Sequence, residues 1–152
     1  MGPAKLVAQI GSLIGRDFRH DLVTAVAPVP APEVDGALQG LVESGLILAR
    51  NSSVGPVYTF KHALLQDVAS DSLLRSTRQE LHGKLARTLE DRFPETARTH
   101  PELLAHHYTQ ASLVEPAVRY WQQAGALAVK RSADVEAVGH LERGIELLAG
   151  MP

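Results

Sequence analysis

The spacing of apolar residues predicts a mainly α-helical protein with one short β-hairpin. Three observations carry this. From Leu6 to Val42 the apolar positions recur at helical spacing, from Leu46 to Lys61 they form two short strand-like runs, and from His62 onward the helical spacing returns.

Leu6, Ile10, Leu13 and Ile14 follow an i, i+4, i+7, i+8 pattern and define a first helix, ended by Gly15. Phe18, Leu22, Val23 and Val26 mark a second helix that stops at Pro28. A stiff Pro-Val-Pro-Ala-Pro connector follows. Pro32 suits the first turn of a third helix, where Glu33 and Asp35 complement the positive end of the helix dipole. Val34, Leu38, Leu41 and Val42 form its buried stripe, and Gly45 caps it. The runs Leu46 to Arg50 and Val57 to Lys61 flank Asn51 to Pro56, which is rich in turn formers, so they predict a hairpin. Three helices and then a hairpin is the order of a winged-helix domain, placed at residues 4–61.

Residues 62–113 are expected to form a helical linker region. Leu64, Leu65, Val68, Ala69, Ser72 and Leu73 share one face of a fourth helix. Leu81, Leu85, Leu89 and Phe93 lie four apart on a fifth, which Pro94 terminates. Pro101 opens a sixth that carries Leu103, Leu104, His107 and Tyr108. Residues 114–152 hold two more helices, one from about Glu115 to Arg131 and one from about Asp134 to Ala149. Trp121, Ala124, Gly125 and Ala128 on one, with Ala137, Leu141 and Gly144 on the other, resemble the tetratricopeptide pattern. Small residues let two antiparallel helices approach while large ones fill the gaps. A single repeat cannot bury its own faces, so further repeats or a capping contact are expected. Tyr108, Tyr120 and Trp121 could line a concave surface, but aromatics at helical spacing favour the core.

Bulk composition narrows the function. The chain has 152 residues, 45% of them apolar and 21% charged, which is ordinary for a soluble globular protein. A formal net charge of −2 offers no basic footprint for nucleic acid or an anionic membrane. Without cysteine there is no disulfide, thiolate metal site or cysteine nucleophile, which fits a cytoplasmic location. The opening MGPAKLVAQIGSLIG reads as a helix and not as a signal peptide, since no small-residue cleavage site follows. The Met-Gly-Pro start and the Gly-Met-Pro end suggest a piece of a longer chain.

No catalytic motif is present. Gly11 to Asp17 comes nearest to a phosphate loop, but it lacks the lysine and lies within an apolar helix. His106 and His107 are adjacent and so serve different sides of a helix, while His100 and His107 share a face only loosely. No metal site is expected from that spacing. Glu90 and Asp91 are read as a solvated pair. A DNA reader is the alternative for a winged helix with a helical dimerisation region. Its recognition helix would be the third, which carries Glu33, Asp35 and Glu43 and no Lys or Arg, and its wing would offer only Arg50 and Lys61.

The junction YTFKHALLQDVASDSLL raises the sharper question, because Lys61 and His62 stand where a helix disfavours cations. Two roles are open. His62 is either a partly buried histidine satisfying a backbone group, or part of an anion site built on the unpaired amides of a helix start.

IGRDFRHDLVTAV, LQGLVESGLI, VYTFKHALLQDVASDSLLRSTRQELHGKLARTLE and PELLAHHYTQASLVEPAVRYWQQAG resemble the middle of a large bacterial family of signal-transduction ATPases with numerous domains. That class is related to the maltose-regulon activator, the apoptosome ATPases and plant resistance proteins. In members similar to this chain a class III adenylate or guanylate cyclase domain precedes the ATPase, and tetratricopeptide repeats follow it; others end in a LuxR-type helix-turn-helix. The resemblance implies that the winged helix packs on the nucleotide-binding domain of the same parent chain. His62 would then touch the β-phosphate of ADP held there, with Lys61 beside it. Related sequences often carry another basic or polar residue at the Lys61 position. The resemblance further implies ADP or ATP with Mg in the parent, an inducer or protein partner on the helical repeats, and no catalysis by the piece alone. Relatives usually carry an aromatic where this chain has Ser70, so the fourth helix is expected to pack more loosely.

Overall fold

A computed structural model describes residues 2–150 and divides the chain into two compact units, 1–81 and 82–152. Met1, Met151 and Pro152, the ends on which the expectation of a longer chain rests, lie outside the described residues. The protein is mainly α-helical with one small antiparallel sheet. The boundary between the units falls inside the fifth helix. The expected divisions after residues 61 and 113 fall within the units.

The first unit runs α1 (Gly2–Ile14), β1 (Asp17–Arg19), α2 (His20–Val26), α3 (Ala31–Glu43), β2 (Ile47–Ser52), β3 (Gly55–Phe60) and α4 (Ala63–Asp71) into α5 (Arg75–Arg92). This is winged-helix architecture. The sheet order is β1-β3-β2, both pairings antiparallel. The hairpin register sets Ile47 against Phe60 and Ser52 against Gly55, so the turn is tighter than the predicted Asn51 to Pro56. Gly55 has φ +101°, a conformation that costs an L-residue energy and glycine almost none.

In this unit one element differs from the sequence reading. Phe18 does not open the second helix; it sits in the three-residue β1, paired with Tyr58. Its ring is 1% exposed and meets Tyr58 and Phe60 at centroid distances of 5.7 and 5.5 Å. Most of the rest of this core is as expected: Ile10 and Leu13 from α1, Leu22, Val23 and Val26 from α2, and Val34, Leu38 and Leu41 from α3 are buried. The expected Leu6, Ile14 and Val42 are only half-buried, and Val7, outside the sequence reading, is fully buried. Each such side chain contributes about 1.5–3 kcal/mol on full burial. Gly11, from the false phosphate loop, faces the Phe18 ring: a Cβ there would lie 2.8 Å from it.

The second unit holds the end of α5, then α6 (Pro94–Thr99), α7 (Pro101–Gln110), α8 (Val114–Lys130) and α9 (Asp134–Ala149). The short α6 is absent from the sequence reading. Leu85, Ala86 and Leu89 of α5 are buried, as are Leu104, Tyr108, Tyr120 and Trp121, so the aromatics are core residues. α8 and α9 form an antiparallel hairpin through the small residues expected. A Cβ on Gly125 would meet Leu141 at 2.7 Å, and one on Gly144 would meet Trp121 Cβ at 3.5 Å. The connectors after α7 and α8 close alike, with Ser112 and Ser132 left-handed at φ 61° and 58°. The Leu113 amide then bonds the Tyr108 carbonyl at 3.0 Å, and the Ala133 amide that of Ala128 at 2.9 Å.

Candidate functional site

The wing delivers its last strand directly to α4, and His62 is the N-cap residue of that helix. Its backbone is extended (φ −135°, ψ 145°), and its carbonyl accepts the Leu65 amide at 3.0 Å. The imidazole makes no capping hydrogen bond and is exposed, as is Lys61. His62 is therefore not the partly buried, backbone-satisfying histidine of the alternative role.

Arg16 joins them at the junction. It reaches from the α1–β1 corner, with Nε donating to the Phe60 carbonyl at 3.3 Å and Nη2 to that of Lys61 at 3.4 Å. The Lys61 amide donates to the Leu46 carbonyl at 3.1 Å, which pins the junction to the start of β2. Two basic residues, Lys61 and Arg16, thus belong to the junction that opens α4, and the positive end of that helix dipole favours an anion beside them. Sequence reasoning missed Arg16 because only the β1–β3 pairing brings it to Lys61.

The helix behind His62 is unusual in what it exposes. Leu64 and Val68, read as part of one apolar helix face, are 74% and 67% exposed, and α4 has no buried residue. Polar bonds tether it: Gln66 Nε2 donates to the Ser12 carbonyl at 3.0 Å, and Gln9 Nε2 donates to Ser72 Oγ at 2.9 Å. Its inner flank, with Leu65 and Ala69, borders an apolar groove of about 580 Å³ that Leu41, Ile47 and Phe60 also line. The Ser70 backbone carbonyl accepts Arg78 Nη2 at 2.9 Å, a bond independent of the side chain at that position.

The would-be recognition helix α3 exposes Glu33, Asp35, Gln39 and Glu43. Its neighbours are engaged: His20 Nε2 meets Asp35 Oδ1 at 2.6 Å, and on the wing Arg50 lies 3.9 Å from Asp17. An acidic helix with a compensated wing suits a duplex poorly.

In the second unit Glu90 is not a merely solvated acid. It accepts the hydroxyls of Tyr120 at 2.5 Å and Tyr108 at 3.3 Å, whose rings stack at 5.8 Å. Burial, reinforced by the bond to Glu90, pushes the Tyr120 hydroxyl up to about 12. Trp121 Nε1 donates to Thr109 Oγ1 at 3.0 Å. His106 is exposed and His107 buried, as adjacent helical positions should be, yet both rings lie beside His82 of α5. His82 Nδ1 and His107 Nδ1 are 2.8 Å apart. The sequence offers no spacing signal for this, since His82 precedes His107 by 25 positions. On α9, Val135, Val138, Ile145 and Leu148 make an outward apolar stripe, from 51% to 88% exposed.

Among the described residues no helix is long and apolar enough to cross a membrane. No protein-family model matches the chain, and no solved structure matches it. A curated protein of Rhizobium meliloti (strain 1021), Uncharacterized protein R02095, is 30% identical over 152 residues. The alignment takes in 99% of this chain but only 15% of that relative, so the chain spans a small part of its length.

Proposed function

We propose that this chain is a regulatory and interaction module of a multidomain signalling ATPase in the cytoplasm. Its winged helix senses ADP on a nucleotide-binding domain of the same parent chain, and its helical hairpin begins a scaffold for an inducer or protein partner. His62 contacts the β-phosphate and Lys61 assists. The nucleotide, ADP or ATP with Mg, belongs to the parent, as does any adenylate or guanylate cyclase activity. Alone, the chain is not an enzyme.

The observation that carries this reading is the exposed His62 at the head of α4, flanked by Lys61 and Arg16 and followed by the outward Leu64 and Val68. Cations suit a phosphate, and an apolar strip beside them suits a covering domain. ADP shifts the resting equilibrium only if the closed form binds it better than ATP. A charge-assisted hydrogen bond of about 1.5–3 kcal/mol gives a preference of roughly 10- to 150-fold, enough for such a bias. The apolar stripe on α9 supports the scaffold half of the reading, because stacked helical repeats bury such stripes against their neighbours.

Calorimetry with ADP tests where the nucleotide is held. The isolated chain should bind at best with millimolar affinity. Micromolar binding would put a complete nucleotide site inside these 152 residues and overturn the reading.

A further inference from the structure

Three histidines converge in the second unit: His82 from α5, and His106 and His107 from α7. Each offers a ring nitrogen, and the three atoms lie within 4.8 Å of one another. The ring centroids are 5.1 Å apart for His82–His107, 5.2 Å for His106–His107 and 5.8 Å for His82–His106. His82 and His107 are only 4% and 2% exposed, while His106 stands at the surface. An N–H···N hydrogen bond between the two buried rings explains their contact. It does not explain a third imidazole brought to the same point.

We propose that His82, His106 and His107 form a binding site for a divalent first-row transition ion of the zinc type, with the fourth ligand position on the solvent side near His106. Neutral imidazole is the commonest protein ligand for such ions. Zn–N bonds of about 2.0–2.1 Å in tetrahedral geometry place ligand nitrogens about 3.3–3.4 Å apart. The buried pair, now at 2.8 Å, would part by about half an ångström to reach that spacing. The surface ring of His106 would close the remaining distance by turning. The buried ring that holds its proton on Nδ1 carries it on Nε2 instead, so the ion meets two lone pairs and no net proton is released.

Burial, with His82 and His106 adding to it, lowers the pKa of His107 to about 3, so this ligand stays neutral at physiological pH. Arg143 opposes the ion. Its guanidinium lies over the Trp121 ring at 5.2 Å and, after burial, is the second cause that lowers the His106 pKa, so a cation at the trio meets some repulsion. Micromolar rather than nanomolar affinity is expected.

Zinc chloride titrated into the 152-residue chain by calorimetry tests this, comparing wild type with His106→Ala. His106 is the informative ligand because its exposed ring can be removed without opening the core. One zinc should bind saturably, and His106→Ala should weaken it at least about tenfold, the low end of what losing even an outer-shell partner costs. Imidazole 1H–15N spectra of the wild type decide independently of that variant: the rings of His82, His106 and His107 should take the metal. No saturable binding, wild-type affinity in His106→Ala, or zinc shifts confined to His20, His62, His100 or His140 would overturn the assignment.

Discussion

The Nδ1 atoms of His82 and His107 lie 2.8 Å apart in the interior of the second unit, so one ring carries a proton between them and the other does not. One of the two rings must keep a bare Nδ1 lone pair for that bond to persist, so the two cannot both be imidazolium. Burial is the main cause holding the His107 pKa near 3, and the neighbouring His82 and His106 push it the same way. An unfolded histidine titrates near 6.5. A folded pKa below the unfolded one means that the stability is complete above about pH 6.5 and is lost as pH falls toward about 3. The loss should approach about 1 kcal/mol per pH unit in that window. Trp121, the single tryptophan, lies in the same unit, so urea unfolding followed by its fluorescence reads the effect directly. Midpoints should fall from pH 7 to pH 5, and a flat profile would mean that protonation costs the fold nothing here.

Glu90 offers a second test in the same unit. Two phenols, 4% and 8% exposed, donate to one carboxylate, so its loss strands both. Glu90→Ala should destabilise by about 1–3 kcal/mol, the usual cost of leaving a buried donor unmet. Glu90→Gln keeps an acceptor and should lose less. Equal losses in the two variants would show that charge, and not hydrogen bonding, is what the tyrosines use.

Gly11 tests the first unit. A methyl group there would lie 2.8 Å from the buried Phe18 ring, closer than real contacts allow. Alanine gains about 1 kcal/mol in helix propensity, while overpacking costs typically about 1–3 kcal/mol. Gly11→Ala should therefore lower stability by up to about 2 kcal/mol, with a matching fall in the thermal midpoint by circular dichroism. A rise would mean that Phe18 can move aside.

Local periodicity made most of the fold legible. Ile10 and Leu13, Val34 and Leu38, and Leu85 and Leu89 are buried as their spacing requires. β1 was hidden because three residues are too few to show a period, and only Tyr58 across the sheet makes Phe18 a strand residue. The short α6 was likewise too brief to read, between Pro94 and Pro101. The exposure of Leu64 and Val68 was not legible for a different reason: helical spacing says which residues share a face, and not whether this chain supplies a partner for it. At the candidate site, Lys61 and His62 were visible as a charge out of place against the helix dipole. Arg16 and His82 were not, because each reaches its neighbours through tertiary structure alone.

The central claim is that His62 reads the β-phosphate of ADP. ADP release from the proposed parent ATPase, timed by chasing a fluorescent analogue, tests it most directly in wild type and His62→Ala. The exposed ring makes no cap bond, so the substitution should leave the fold intact. The account predicts release faster by about tenfold or more, the equivalent of one charge-assisted hydrogen bond, together with raised basal activity. Identical release rates in the two proteins would contradict it.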